Sequence, residues 1–340
     1  MDDLSRLTGI SRVTISKVLN GRPGVADETR RRVLAACEDY GFQPNAAARS
    51  LARRKSDQIA VVLQGPKFWS TRVWYVQEYL QGILAAAEDT RYNVLLATQG
   101  PDSSFHKDPS RLVRTRKADG VILVGSWVTQ EQLRKLIESQ TPYCVLGALP
   151  PGFETNSVYY DNAAGVQTAL DHLIKLGHER IAYVTGPPGH RPDTVFDRIR
   201  RESFRSHLAS LGERYTAYAD RMLDLDALIA EVRSGFGPTA ILLVYPLARQ
   251  TLEQLRAHGI SVPEDLSVVV FDDHPSNRYN TPRMTALHQP LVDMGYRSVE
   301  LLTQLIETGA TTFPTEILPM DLVAGGTTAP VRRRAGRSGA

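Results

Sequence analysis

The 340-residue sequence contains only two cysteines, Cys37 and Cys144, and they lie far apart in apolar stretches. This excludes a small protein held together by disulfides, and we expect both thiols to be reduced core residues of a cytosolic protein. No run of about 18 apolar residues is present, so a membrane-spanning helix is not expected. The first residues, MDDLSRLTG, have no apolar segment like that of a secretion signal. A cytoplasmic protein is therefore predicted.

Motifs that mark common enzymes are also missing. The sequence has no GxxxxGK[ST] phosphate loop, no GxGxxG after a predicted strand, no nucleophile elbow and no cysteine–histidine spacing typical of a metal site. Pairs such as His172 with Asp171 and His178 with Glu179 could serve acid–base chemistry, but no such motif surrounds them. We therefore predict that the chain is not an enzyme and holds neither a metal nor a cofactor.

The sequence does have an uneven distribution of charge. Residues 1–55 carry 11 lysines and arginines against 6 acidic residues, and residues 331–340 carry four arginines and no acid. The net charge of the whole chain is only +3, so the remainder is acidic overall. A basic N-terminal segment on an acidic remainder indicates a polyanionic partner, although a solvated basic surface is the alternative. The apolar content of 42% is that of a globular protein and excludes disorder of the whole chain.

The first 43 residues predict three short helices. Their expected bounds are Asp2–Thr8, Arg12–Leu19 and Asp27–Tyr40, with Ser11 as the N-cap of the second helix. The apolar residues expected to face inward are Leu4 and Leu7, then Val13 or Ile15 with Val18 and Leu19, and finally Val33, Leu34, Cys37 and Tyr40.

The tight turn before Ser11 is typical of a helix-turn-helix, whose second helix enters the major groove of DNA. The residues that this helix would present are Arg12, Val13, Thr14, Ser16, Lys17 and Asn20. Arginine can bind guanine through two hydrogen bonds, asparagine can read adenine, and valine or threonine can touch the thymine methyl group. Ser16, Lys17 and Thr29 are expected to bind phosphates, which position the protein but carry no sequence information. A plain three-helix bundle with solvated arginines is the alternative.

From Gln58 onward, short apolar strands alternate with helices, and the pattern restarts after about residue 160. The expected strands are 59–63, 94–98, 121–125, 143–147, 181–186, 240–244 and 267–271, and the last helix is 291–308. This alternation predicts two parallel α/β sheets in tandem. A ligand of such a pair binds in the cleft between the sheets, at the carboxyl ends of their strands.

The order of motifs resembles a known family. The run ISRVTISKVLNGRPGVADETRRRVLAACEDYGFQPNAAARSL resembles the DNA-binding segment of the LacI family of bacterial transcription regulators. Further along, ADGVILVG, VYYDNAAG, HLIKLGHERIAYVTGP, SVVVFDD and TPRMTALHQPLVDMG resemble that family's landmarks in order and spacing. The resemblance implies an all-α helix-turn-helix head and an α/β body like that of a periplasmic binding protein, made of two Rossmann-like subdomains.

The resemblance also implies where the chain divides. The expected parts are a helix-turn-helix head at 1–43, a hinge helix and linker at 44–56, an effector-binding and dimerisation body at 57–330, and a disordered basic tail at 331–340. Within the body, the N-subdomain would cover about 57–157 plus 290–312, and the C-subdomain about 162–285 plus 313–330. The chain is expected to cross between them near 156–161, 286–289 and 313–319.

In this family a hinge helix folds on DNA and wedges a leucine into the minor groove, which bends the duplex. Leu51 stands at that position, flanked by Arg49 and Ser50, and contact with the body is the alternative for this leucine. The complete DNA-binding set that we predict is Ser11, Arg12, Val13, Thr14, Ser16, Lys17, Asn20, Thr29, Arg49, Ser50 and Leu51.

By the same resemblance, a small-molecule effector, a sugar or sugar derivative, would bind in the cleft of the body. The expected effector-binding residues are Gln64, Phe68, Trp69, Trp127, Arg200, Tyr245, Asp272 and Gln289. Arg200 could instead be a solvated arginine, Asp272 a structural cap, and Trp69, Trp74 and Trp127 core or dimer-surface residues. Tyr245-Pro246 replaces an Asn-Asp pair of many relatives, which leaves a less typical sugar or a non-sugar effector open.

The resemblance implies a repressor that binds a pseudo-palindromic operator as a homodimer and that responds allosterically to its effector. No leucine heptads follow the body, so a tetramer is not expected. A bacterial cytoplasmic protein at the nucleoid is implied. The rival interpretations are a periplasmic solute-binding protein, which would share the body but not the basic head, and an enzyme.

Overall fold

The computed structural model describes residues 2–19, 23–42, 55–64, 73–99, 107–125, 128–185, 195–215, 221–222 and 224–331. The chain forms two compact units, residues 1–57, which include the head, and residues 58–340, which include the body. Predicted residues that lie outside the described ranges are Asn20, Arg49, Ser50, Leu51, Phe68, Trp69 and Trp127.

The three helices of the head enclose a small apolar core. Helix α1 spans Asp2–Thr8, α2 spans Arg12–Leu19 and α3 spans Asp27–Asp39. The side chains that pack together in the core are Leu4, Ile15, Val18 and Val33, each at most 4% exposed. The bounds agree with the prediction, except that α3 ends one residue earlier.

Three residues expected in this core are exposed instead. Leu7 is 54% exposed, Leu34 50% and Tyr40 61%. On α3 the buried residues are Val33 and Ala36. Because successive helical residues point about 100° apart, Leu34 turns away from the face that Val33 buries. The short helix α1 packs through Leu4 alone.

The ends of the head helices differ in how their backbone groups are satisfied. Arg32 Nη2 donates a hydrogen bond to the Thr8 carbonyl oxygen at 3.1 Å, so α3 caps the C-terminus of α1. Ala26 is the N-cap of α3 and has no side-chain oxygen to accept from the first turn. The start of α3 is therefore less stable than a serine or aspartate cap would make it.

The first sheet of the body is fully parallel, with strand order β11–β5–β4–β3–β1–β2. Its strands are β1 Gln58–Gln64, β2 Asn93–Gln99, β3 Gly120–Val124, β4 Tyr143–Leu146, β5 Ser157–Tyr160 and β11 Glu316–Leu318. Helices α4 Val73–Thr90, α5 Arg111–Arg114 and α6 Gln130–Glu138 connect its strands. Every residue of β3 and β4 is buried, because helices cover both faces of a parallel sheet.

The second sheet has strand order β12–β10–β9–β8–β6–β7, and only β12 is antiparallel to its neighbour. Its strands are β6 Ile181–Thr185, β7 Arg221–Met222, β8 Ala240–Val244, β9 Ser267–Phe271, β10 Thr285–His288 and β12 Asp321–Val323. The helices between them are α7 Asn162–Lys175, α8 Val195–Ser210, α9 Leu225–Ser234 and α10 Tyr245–Ala257, with 3₁₀ turns at Glu213–Tyr215 and Pro275–Tyr279. Helix α11, Leu291–Thr308, packs against the first sheet.

The chain passes between the two sheets three times, after β5, after β10 and after β11. The segments expected to be plain connections contain short strands instead, namely 157–160, 285–288 and 316–318. Residues 316–318 were assigned to the C-subdomain, but β11 pairs with β5 in the first sheet. Strands of three or four residues lack an apolar run, and backbone pairing that depends on the tertiary fold creates them.

Two glycines allow α4 and α11 to pack closely in the first subdomain. A Cβ atom on Gly82 would lie 1.9 Å from the Val292 carbonyl oxygen, and one on Gly295 would lie 2.2 Å from the Tyr79 carbonyl oxygen. No side chain fits at either position. The two helices therefore form a tight pair beside the first sheet.

Both cysteines are free thiols, as predicted. Cys144 lies in β4 and is fully buried, and Cys37 is half-buried against the core of the head. Burial raises the pKa of both thiols, so each stays protonated and unreactive at neutral pH.

Candidate functional site

The first turn of α2 forms the predicted DNA-reading surface. The Thr14 amide donates a hydrogen bond to Ser11 Oγ at 3.1 Å, which confirms Ser11 as the N-cap of this helix. The two hydroxyl oxygens of Ser11 and Thr14 also lie 2.9 Å apart. The cap determines where α2 begins, and so which side chains its first turn presents.

The predicted contact residues of α2 lie on the face opposite the core. Ser11, Arg12, Val13 and Lys17 are exposed, whereas Thr14, Ser16 and, on α3, Thr29 are half-buried. Val13 is 68% exposed, although Ile15 and Val18 of the same helix are buried. An exposed valine is suited to contact with a thymine methyl group.

Arg12 has a partner on another helix. Its Nη1 atom lies 2.9 Å from Oδ1 of Asp2, the first residue of α1, and the two side chains are 65% and 64% exposed. The first turns of α1 and α2 therefore meet through an ion pair at the surface that is predicted to read DNA.

In the body, three of the predicted effector residues come together at the carboxyl ends of the second sheet. Asp272 follows β9, Gln289 follows β10, and Arg200 lies on α8. Arg200 Nη2 lies 3.8 Å from Asp272 Oδ1, and Gln289 Nε2 donates a hydrogen bond to the same oxygen. Arg200 is 3% exposed and the other two are 4% exposed, so this cluster is buried.

The surroundings of Arg200 hold its guanidinium in one position. Its Nε donates to Asn162 Oδ1 at 2.7 Å and its Nη2 donates to the Tyr160 hydroxyl at 3.3 Å. The guanidinium carbon lies 3.6 Å from the centre of the Phe271 ring. Burial by itself lowers the pKa of Arg200, but Tyr160 and Asp272 raise it above its ordinary value, so the residue stays a cation. This contradicts the alternative of a solvated arginine.

Asp272 has an unusual backbone, with φ of +92°. This region is costly for a residue with a Cβ atom, and such strain concentrates at binding and catalytic sites. In the loop that follows, the His274 side chain accepts a hydrogen bond from the Ser276 amide at the start of a 3₁₀ turn.

The Gln289 side chain leaves one polar atom unsatisfied. Its Oε1 atom is buried and has no hydrogen-bond partner in the described part of the chain. Leaving a buried acceptor unpaired costs free energy that a bound hydroxyl or amine would recover. The cluster is therefore equipped to accept a hydrogen bond from a ligand.

Two further predicted residues lie at strand ends. Gln64 is the last residue of β1, and Tyr245 is the first residue of α10, directly after β8. Proline is favoured in the first turn of a helix, which explains why Tyr245-Pro246 opens α10 rather than forming a loop.

Tyr160 and Asn162, which accept hydrogen bonds from Arg200, were not among the predicted site residues. The motif VYYDNAAG served only as a family landmark. The available signal was their place next to the predicted first crossing, because Tyr160 ends β5 and Asn162 begins α7.

An aromatic contact joins the two subdomains of the body. Trp74, on α4, lies 5.0 Å from His274, which follows β9, and the rings meet edge to face at 66°. The ring of Tyr75 packs against Trp74 at 3.8 Å. Burial lowers the pKa of His274, although Asp273 opposes this effect. Trp74 is thus half-buried in the body.

Among the residues that the structure describes, no group of three or more histidine, cysteine, aspartate or glutamate side chains is placed to hold a metal ion. None of the helices in the described ranges combines the length and apolarity needed to cross a bilayer.

Both units of the chain match known protein families. Residues 1–45 match the family described as bacterial regulatory proteins, lacI family. Residues 56–224 match the periplasmic binding proteins and sugar binding domain of the LacI family, and residues 170–328 match a periplasmic binding protein-like domain.

Individual proteins are similar over nearly the whole chain. The HTH-type transcriptional regulator CelR of Thermobifida fusca is 30% identical over 337 residues, which is 94% of each chain. Catabolite control protein A of Streptococcus mutans is 28% identical over 309 residues, 89% of this chain and 90% of that protein.

Among solved structures, the Lac repressor dimer bound to operator and the anti-inducer ONPF matches with a TM-score of 0.79 at 23% identity, over 96% of this chain and 98% of that one. The CelR–cellobiose complex matches with a TM-score of 0.64 at 28% identity, over 95% and 98% of the two chains. The predicted fold class, a helix-turn-helix head with a two-subdomain α/β body like a periplasmic binding protein, is confirmed.

Proposed function

Since the chain belongs to the LacI family of bacterial regulatory proteins, we propose that it is a repressor that binds a pseudo-palindromic operator as a homodimer and is controlled by a sugar-like effector. Membership of this family establishes a DNA-binding regulator of transcription and confirms that the chain is not an enzyme. The operator, the dimer and the effector are the parts that we propose. We also propose that the protein acts in the bacterial cytoplasm, at the nucleoid.

The observation that carries the effector proposal is the buried cluster of Arg200, Asp272 and Gln289. A buried ion pair is poor evidence of a stabilising role, because removing two charges from water costs as much as their attraction returns. Here the cluster also includes a strained aspartate and an acceptor, Gln289 Oε1, that has no partner among the described residues. A ligand-binding role accounts for all three features.

The charge of this cluster supports a neutral ligand. The cation of Arg200 lies beside the anion of Asp272, so the pair carries no net charge. A polyhydroxy compound can both donate to Gln289 Oε1 and bind charged groups without adding charge. The CelR–cellobiose complex makes cellobiose a suitable first probe.

The head supports an operator that is read through the first turn of α2. In this turn Arg12 and Val13 are exposed on the face opposite the core. Lys17, one turn later, is placed for a phosphate. A dimer would place two such helices in successive major grooves, which requires a site with two-fold symmetry.

Exposed apolar side chains support a dimer. Leu84 on α4 is 55% exposed, and Leu96 on the edge strand β2 is 48% exposed. Helix α4 packs against β2, so both leucines belong to the same edge of the first sheet. Sedimentation equilibrium should give a dimer, and a tetramer at all concentrations would contradict the proposal.

The whole proposal is tested by selection of binding sites from random duplex DNA with the full-length chain. We expect a pseudo-palindrome whose affinity falls steeply with salt and changes when cellobiose or a related sugar is added. Failure to enrich any sequence, with and without sugars, would remove the basis of the proposal.

The hinge is tested with Leu51→Ala on the selected site. We expect weaker specific binding and unchanged binding to unrelated DNA, because only the bent cognate duplex admits the wedge. Leu211→Ala, at a leucine of the body that is 40% exposed, is the matched control and should change neither. Equal losses on both DNAs would contradict a wedge at Leu51.

A further inference from the structure

The ion pair between Asp2 and Arg12 differs from other pairs of the head. Arg6 pairs with Asp3, and Arg31 with Glu28, but these partners are three residues apart on one helix. Asp2 and Arg12 instead join the first turns of two helices across a distance of 2.9 Å. One of them, Arg12, is the residue best suited to read guanine on this surface.

The geometry of the guanidinium makes this pairing compatible with base reading. The carboxylate of Asp2 engages Nη1, which leaves the edge formed by Nε and Nη2. Two adjacent N–H groups on such an edge match the O6 and N7 acceptors of guanine. Asp2 therefore does not block the contact but limits the orientations from which Arg12 can make it.

The exposure of the pair indicates that stabilising the fold is not its main effect. Both side chains are about two-thirds exposed, and exposed ion pairs contribute little to folding in water. In a complex with DNA, removal of water from the pair would strengthen its electrostatic interactions. An uncharged neighbour would leave Arg12 free to bind phosphates of any sequence, whereas the Asp2 carboxylate repels phosphates.

We propose that Asp2 is a positioning residue for DNA specificity, which holds Arg12 for guanine and weakens its binding to phosphates. This inference rests on the proposed function, because it requires that α2 reads an operator. It makes Asp2 a determinant of base preference at the position that Arg12 contacts in each half-site.

The test is site selection from random duplexes with four full-length proteins: the wild type, Asp2→Ala, Arg12→Ala and the double variant. With Asp2→Ala we expect the guanine preference at one position per half-site to fall about tenfold, with the other positions unchanged. Affinity for unrelated DNA should rise, because one negative charge is removed near the phosphates. In the Arg12→Ala background, Asp2→Ala should have no effect on base preference.

Asp3→Ala is the matched control, since it removes the same charge from the same turn but leaves the Arg12 partner in place. It should raise non-specific affinity and leave the base preference intact. If Asp2→Ala selects the same site as the wild type, or if Asp3→Ala relaxes the same position equally, the role of Asp2 is refuted while the repressor proposal stands. If the wild type selects no site, the proposed function itself fails.

Discussion

Replacing Arg200 by methionine should strongly destabilise the body, because the change leaves the buried carboxylate of Asp272 without its cation. The two side chains are 3% and 5% exposed, and Nη2 and Oδ1 lie 3.8 Å apart. Removing one partner of a buried ion pair costs about 3–5 kcal/mol. Methionine keeps an unbranched apolar stem but removes the guanidinium, including its contact over the Phe271 ring, so the loss is mainly electrostatic.

Further loss comes from the acceptors that Arg200 satisfies. Asn162 Oδ1, at 2.7 Å, and the Tyr160 hydroxyl, at 3.3 Å, lose their donor. We therefore expect the free energy of unfolding to fall by about 4 kcal/mol in total, near the middle of the range for a broken buried ion pair. For a domain of this size that corresponds to a fall in Tm of roughly 10 °C.

Calorimetry of the full-length chain measures this change for Arg200→Met, Asp272→Asn and the double variant. The double variant should recover part of the loss, since no uncompensated charge remains. Arg198→Met, at an exposed arginine two residues earlier on the same helix, is the matched control and should leave the Tm of the body unchanged. A Tm for Arg200→Met within about 2 °C of the wild type would falsify the reasoning, because the cost of a buried unpaired carboxylate would be absent.

Three other changes test the packing, the capping and the titration of the structure. Ala26→Ser should stabilise the head by about 1 kcal/mol, seen in its thermal unfolding by circular dichroism, because serine can cap α3; an unchanged or lower melting temperature would contradict this. Gly82→Ala should lower the Tm of the body by several degrees, since its Cβ would meet the backbone of the facing helix at 1.9 Å; a wild-type Tm would show that the helices separate at little cost. Burial lowers the pKa of His274 below its ordinary value near 6.5, with Asp273 opposing, so the folded state prefers the neutral ring. The stabilisation by the neutral His274 ring is present above about pH 6.5 and is lost as the pH falls below that value, because protonation removes the acceptor for the Ser276 amide. Between pH 7.5 and 5.5, the Tm of His274→Asn should fall less than the Tm of the wild type. Parallel curves of Tm against pH for the two proteins would argue against the effect.

The sequence predicted most regular elements well because their patterns are long and local. The strands 240–244 and 267–271 and the helix 291–308 have the predicted bounds. Their apolar runs and helical periodicity depend only on neighbouring residues. The short strands at 157–160, 285–288 and 316–318 were not predicted, because pairing with distant strands creates them.

Within the candidate site, Arg200, Asp272 and Gln289 were predicted one by one from motifs, and the structure brings them into one cluster. Their mutual contacts were not predictable, since they come from α8 and from the ends of two different strands. The same holds for Tyr160 and Asn162, which only the fold places beside Arg200. The roles of all these residues in binding an effector stay predictions.

The sequence alone determined that this chain has a basic three-helix head and a two-sheet α/β body, because charge distribution, caps and hydrophobic periodicity are written in residues close to each other. Only the tertiary structure decided that Asp2 meets Arg12, that Leu34 faces solvent, and that Gln289 Oε1 is buried with no acceptor contact among the residues that the structure describes. Such contacts depend on how separate elements pack, and side chains tens of residues apart become neighbours only when the chain closes around its core.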